Sequence, residues 1–144
     1  MTHRLLAADP DPSLMELYRI WFSRFGFDIA TAASALDCME RIRRFAPHVL
    51  ILSLELQWGG SDGVLSMIRE DYGTPPIPVV LTCDKRNRSR AIRQLAPPVI
   101  KLLEKPILFL ELHASIETAL GLNRPFVAQC PPSSRPADAV SDQE

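Results

Sequence analysis

The segment Val49–Gly63 has the sequence VLILSLELQWGGSDG. Its first residues are an unbroken apolar run with no polar partner face, as expected of a strand buried on both sides within a parallel sheet. Ser53 and Glu55 come at its end, followed by a Gly-rich loop over Gln57–Ser61. In an open α/β sheet the carboxyl ends of strands are where ligands and chemistry gather, so this segment raises the question of why a serine stands there.

Outward from this segment, the chain alternates short apolar runs with amphipathic stretches. Arg4–Ala8 reads as a first strand that stops at Asp9-Pro10-Asp11-Pro12. Asp11 is placed to cap the helix that follows, with Pro12 preset at its first position. Leu14, Leu17, Tyr18, Trp21 and Phe25 recur at helical spacing and form its expected core stripe, and Gly26 ends it. Phe27–Ala30 reads as the second strand, and Ser34 with Asp37 as a capping box for a helix to about Phe45, with Leu36, Met39 and Ile42 inward. Arg41, Arg43 and Arg44 lie at its carboxyl end, where they complement the helix dipole.

Pro47 introduces the central strand, and Asp62 reads as the cap of a helix over Val64–Glu70. Pro75, Pro76 and Pro78 surround the start of a fourth strand, Ile77–Thr82. Lys85–Gln94 is polar and basic, the least regular of the helical stretches. Val99–Leu103 is the fifth strand, closed by Glu104-Lys105-Pro106, and Leu108, Leu112, Ile116 and Leu120 mark the last helix, stopped by Gly121. This alternation implies an α/β fold with a parallel sheet, right-handed crossovers and helices on both faces.

Residues 1–121 accordingly read as one domain. Residues 122–144 read as a flexible Pro/Ser-rich tail, since they lack the apolar periodicity that offsets ordering entropy. The 144 residues carry 47% hydrophobic and 23% charged side chains, and 16 basic against 17 acidic residues leave a net charge of -1. No global charge therefore points to nucleic acid or a membrane surface. Cys38, Cys83 and Cys130 are too scattered for a C-x-x-C pair, and no apolar run approaches the ~20 residues of a membrane helix. A cytoplasmic location is the expectation.

Asp9, Ser53, Thr82 and Lys105 converge on the carboxyl ends of successive strands. Their order, and the Lys105-Pro106 step after the fifth strand, resemble the receiver domain of bacterial two-component response regulators over about residues 4 to 120. The resemblance implies a flavodoxin-like, doubly wound five-stranded sheet with strand order 2-1-3-4-5. It also implies an aspartate phosphorylated at the end of strand three, an acidic pair after strand one holding Mg²⁺, and a Thr and a Lys contacting the phosphoryl group.

Thr82 and Lys105 match this pattern, and the other parts depart from it. After strand one, Pro10 stands where a second carboxylate belongs. An acidic pocket would fall to Asp9 and Asp11, and a weakened Mg²⁺ site to Asp9 with Glu55. At the end of strand three, anchoring on Pro47 puts Ser53 at the phosphoacceptor position, and anchoring on Asp62-Gly63 puts Glu55 there. Loops accept insertions more readily than buried ladders, which favours Ser53. A serine hydroxyl needs a base, and no histidine is placed to serve: His48 falls at the opposite end of the same strand, and His3 and His113 fall outside the strand ends. Leu102 replaces the aromatic residue whose rotation the family uses as a readout.

The expectation is therefore a degenerate receiver-like module with no catalytic residue and no required cofactor. It would act without phosphorylation by docking to a protein partner. Family members associate through the fourth helix, fifth strand and fifth helix, and here that region carries Lys85, Arg86, Arg88, Arg90 and Arg93, a cluster suited to an acidic protein surface. The rival expectation is a working phosphoacceptor with Mg²⁺ and an unusual acceptor. Non-specific, salt-dependent nucleic-acid binding through the basic segment ranks below both.

Overall fold

Short runs of branched apolar residues that admit no polar side chain until their last position can be satisfied only between two helical layers. A computed structural model describes residues 2–57, 60–70 and 77–122 of the chain and has that arrangement. The elements are β1 (Arg4–Ala8), α1 (Pro12–Arg24), β2 (Asp28–Ala32), α2 (Ala35–Phe45), β3 (Val49–Ser53), α3 (Gly60–Glu70), β4 (Val79–Cys83), a 3₁₀ turn (Lys85–Asn87), α4 (Arg88–Ile92), β5 (Val99–Glu104) and α5 (Phe109–Ala119). The five strands form one parallel sheet in the order β2-β1-β3-β4-β5, the flavodoxin-like order that the resemblance implies. Trp58, Pro75, Pro76, Cys130 and the expected tail beyond Leu122 lie outside the described residues.

The sheet separates two cores of different character. On one face, Leu6, Leu50, Leu52 and Leu81 pack with Cys38 and Leu65 in an aliphatic cluster beneath α2, α3 and α4. On the other, Tyr18, Phe22 and Phe27 join Ile51, Leu112 and Ile116 beneath α1 and α5. Burying one such side chain contributes about 1.5–3 kcal/mol, and every residue of β3 and β4 is buried, so these two strands form the rigid centre of the domain.

Local signals placed the helix starts. Asp11 caps α1 by accepting from the Ser13 and Leu14 amides, with Pro12 at the first position, and Ser34 caps α2 by accepting from the Asp37 amide. The inward faces agree with expectation in part: Tyr18 and Ile42 are buried and Leu14, Trp21, Phe25 and Met39 pack partly buried against the two cores, whereas Leu17 and Leu36 face out. In α1 the buried stripe is Met15, Tyr18 and Phe22, and Leu17 is 52% exposed. In α2 it is Ala35, Cys38 and Ile42, and Leu36 is 67% exposed. Apolar residues occupy more than one stripe of each helix.

Other corrections follow from backbone hydrogen bonding. The second strand begins at Asp28, because the Phe27 amide is spent on the Phe22 carbonyl at the end of α1. The third helix starts at Gly60, so Asp62 lies within its first turn, where its charge suits the dipole and its Oδ1 accepts from Gln94 Nε2 at 3.0 Å. The fourth strand starts at Val79 and runs to Cys83, after a proline that has no amide to donate. The polar stretch after it gives only a 3₁₀ turn and the five-residue α4.

Candidate functional site

The site is assembled by register. Ser53, the last residue of β3, pairs with Thr82 of β4, and Cys83 pairs with Glu104 of β5. The Lys105 amide donates to the Cys83 carbonyl at 2.8 Å, extending the ladder one residue past β5 and fixing the lysine beside the ends of β3 and β4. Asp9 follows β1, held by its amide's bond to the Ala32 carbonyl at 3.1 Å. Its carboxylate is 2% exposed, and its Oδ1 accepts from the Asp11 amide at 2.8 Å.

Lys105 joins two carboxylates. Its Nζ lies 2.8 Å from Asp9 Oδ2 and 3.0 Å from Glu55 Oε1, and it also donates to Ser53 Oγ at 3.3 Å. Glu55 has further donors on its other oxygen: the Asp84 amide at 3.0 Å and the Asn87 carboxamide at 2.7 Å reach Oε2. Burial works against ionising Glu55, but the bonds from Asp84, Asn87 and Lys105 outweigh it and hold the carboxyl below its ordinary value. For Lys105, burial is likewise outweighed by Asp9 and then Glu55, which raise its pKa and keep it an ammonium.

The Ser53 hydroxyl is committed within this network. It donates to Glu55 Oε1 at 3.2 Å and accepts from the Glu55 amide at 3.1 Å as well as from Lys105. Glu55 therefore occupies the position of a base toward Ser53, a relation that periodicity and spacing did not reveal. It is a poor base, because the donors that depress its pKa weaken its pull on the serine proton. Lys105, protonated, is none at all. The Thr82 hydroxyl is 1% exposed and has no hydrogen-bond partner among the described residues.

The donors do not compose a Mg²⁺ site of the kind the resemblance implies. Pro10 supplies no oxygen from its side chain, and Asp11 Oδ1 is spent on the start of α1. The two carboxylates that remain, Asp9 and Glu55, share the Lys105 ammonium, a cation already in the space between them. Among the described residues no group of three or more His, Cys, Asp or Glu side chains gathers as a ligand set.

The other sequence candidates are dispersed. His48 is at the amino end of β3, where its Nδ1 accepts from the Arg4 amide at 2.9 Å. His113 is buried in the aromatic layer, its Nδ1 accepting from Trp21 Nε1 at 2.9 Å. Leu102 is partly buried against the aliphatic core. The five basic residues after β4 divide: Arg90 donates to the Leu54 carbonyl at 3.1 Å, Arg88 lies 3.8 Å from Glu104, and Arg86 lies 3.4 Å from Asp84. Lys85 and Arg93 are exposed and make no ion pair with a described residue.

Asn87 and the Asp84 amide are site groups that sequence reasoning missed. Both lie in the polar stretch after β4, and nothing local to that stretch points across to Glu55, 29 and 32 residues away.

No protein-family model matches the chain. Among curated proteins, the DNA-binding response regulator MtrA of Mycolicibacterium smegmatis is 28% identical over 123 residues, covering 85% of this chain and 53% of MtrA. Protein-glutamate methylesterase/protein-glutamine glutaminase 2 of Rhodopseudomonas palustris is 29% identical over 105 residues, covering 72% of this chain and 28% of that protein. The chain thus spans about half the length of the first relative and less of the second. Among solved structures, a response regulator receiver domain protein from Clostridium thermocellum matches with a TM-score of 0.75 at 17% identity, covering 83% of this chain and 94% of that one. No helix among the described residues is long and apolar enough to cross a membrane. Sequence relatives and solved structures together support the flavodoxin-like fold of a two-component response regulator receiver domain.

Proposed function

We propose that this domain is a phosphorylation-independent receiver-type signalling module, neither enzyme nor metal-dependent, that acts in the cytoplasm by docking to an acidic surface of a partner protein. The observation that carries this reading is the position of Lys105 between Asp9 and Glu55, at 2.8 and 3.0 Å. Phosphoryl transfer to a receiver depends on positioning and charge stabilisation around a free carboxylate and a metal ion. Here the acceptor register holds a hydroxyl whose proton is shared with a weak base. The cation between the carboxylates belongs to the protein itself.

The test is incubation with acetyl phosphate and Mg²⁺ followed by intact-mass spectrometry, with a parallel beryllofluoride titration read by amide chemical shifts. No adduct and no saturable Mg²⁺-dependent shift are expected. A phosphoryl adduct on the unmodified chain, or a saturable shift at Ser53 or Thr82, overturns the reading. Restoring the chemistry should require Ser53→Asp together with Pro10→Asp.

A second reading, a working phosphoacceptor, is favoured by one feature. The unbonded, buried Thr82 hydroxyl beside Ser53 would gain a partner if a phosphoryl group entered. The same experiment separates the two.

A further inference from the structure

The docking face and the charged pocket are usually separate problems, but here one side chain touches both. Glu55 Oε1 lies on Lys105 and Ser53, inside the pocket, and Oε2 lies on the Asp84 amide and the Asn87 carboxamide, in the segment that leads into α4. Asn87 is the last residue of the 3₁₀ turn that carries Lys85 and Arg86, and Arg88 follows directly. Arg90 closes the same segment back on the β3 end through the Leu54 carbonyl, one residue before Glu55.

We propose that Glu55 is a built-in anion that pins the Asp84–Asn87 segment to the pocket and so holds the basic face in one fixed arrangement. This rests on the docking reading above and names the residue that sets the shape of the docking face. A turn and a five-residue helix make too few hydrogen bonds of their own to stay ordered, since helix formation this short does not repay its nucleation. Order must come from a tertiary contact. Bonds from neutral donors to a carboxylate are stronger than neutral pairs and have defined geometry. Glu55 acts here as a positioning residue, through Asp84 and Asn87, and touches no partner itself.

The arrangement predicts chemical rescue. Glu55→Ala leaves the Lys105 and Asp9 pair in place, so one ammonium matches the one remaining carboxylate, and should open a space lined by an ammonium, a backbone amide and a carboxamide. Acetate has the size and charge of the lost group. Amide exchange, resolved by residue in the full chain without partner or phosphoryl donor, reads the effect directly.

In Glu55→Ala the Asp84 amide should exchange roughly tenfold faster or more, with β3 and β4 amides unchanged, and added acetate should slow it again in the variant alone. Wild-type exchange at Asp84 in a folded Glu55→Ala variant overturns the proposal. So does acceleration that acetate does not reverse, because it reports general loosening. Should the alanine variant fail to fold, Glu55→Gln keeps the size without the charge. It should then show a smaller, acetate-insensitive acceleration, and wild-type exchange there is also a refutation. Because no phosphoryl transfer is measured, a positive acetyl phosphate result would sink the functional reading and leave the pinning of the Asp84–Asn87 segment by Glu55 to stand or fall on amide exchange alone.

Discussion

The carboxyl-edge pocket and the basic segment after β4 lie side by side and handle charge in opposite ways. In the pocket, Asp9, Glu55 and Lys105 are partly or fully withdrawn from water, and each charge has an opposite within 3.0 Å. Across the segment, Lys85, Arg86, Arg88 and Arg93 are exposed, and the ion pairs they make are at 3.4 Å or longer. A withdrawn charge is costly unless paired, so the pocket's electrostatics had to be completed within the chain. An exposed one is supported by water, which leaves the segment's positive charge available to another molecule.

The largest expected effect comes from breaking the pocket's balance. Lys105→Met leaves the buried Asp9 carboxylate facing Glu55 with no cation, and should destabilise the fold by about 3 kcal/mol in chemical denaturation. Adding Asp9→Asn should recover most of that loss. If Lys105→Met unfolds at the wild-type denaturant midpoint, the pocket is not electrostatically closed and the contrast with the basic face disappears.

An intermediate effect sharpens the other side. Lys85→Glu, Arg86→Glu and Arg93→Glu together should lower capture of an acidic partner roughly tenfold or more, while leaving the denaturation midpoint in place. Arg90→Ala should do the reverse. Its bond to the Leu54 carbonyl makes it part of the fold, and its loss should destabilise by about 1 kcal/mol. Partner capture that survives the triple charge reversal would return these residues to a merely solvated face.

The smallest effect is in the pH profile. Glu55 has a lowered folded-state pKa, so its contribution is complete above the ordinary glutamate value and is lost as pH falls through the folded value. Lys105 has a raised one, so its contribution is complete below the ordinary lysine value and is lost as pH rises through the folded value. Between these limits the pocket should add no slope to stability, as measured by urea denaturation across the range. Glu55→Gln should reduce the acid limb. A steep slope at neutral pH traced to Glu55 or Lys105 would contradict a permanently charged pocket.

Much of this was legible in the residues themselves. Strand order came from the family resemblance, whereas the alternation of strands and helices, the Asp11 and Ser34 caps, the turns at Gly26 and Gly121 and the edge positions of Asp9, Ser53, Thr82 and Lys105 depend on neighbours within a few positions. So does the departure at Pro10, which removes a carboxylate whatever the chain does elsewhere. Local chemistry and an alternating pattern are sufficient for such features.

Other features were decided only by the tertiary structure. Lys105 meets Glu55 across 50 residues and Asn87 meets Glu55 across 32, contacts that exist only because register brings the ends of β3, β4 and β5 together. Leu17 and Leu36 were read as inward and are exposed, since only packing against the sheet decides which apolar residues of each helix are covered. Arg90 belonged to a basic run by sequence and to the β3 end by contact. Sequence determined which charges stand at the sheet edge, and the fold determined that two carboxylates share one ammonium, because pairing energy depends on distances that one-dimensional spacing does not contain.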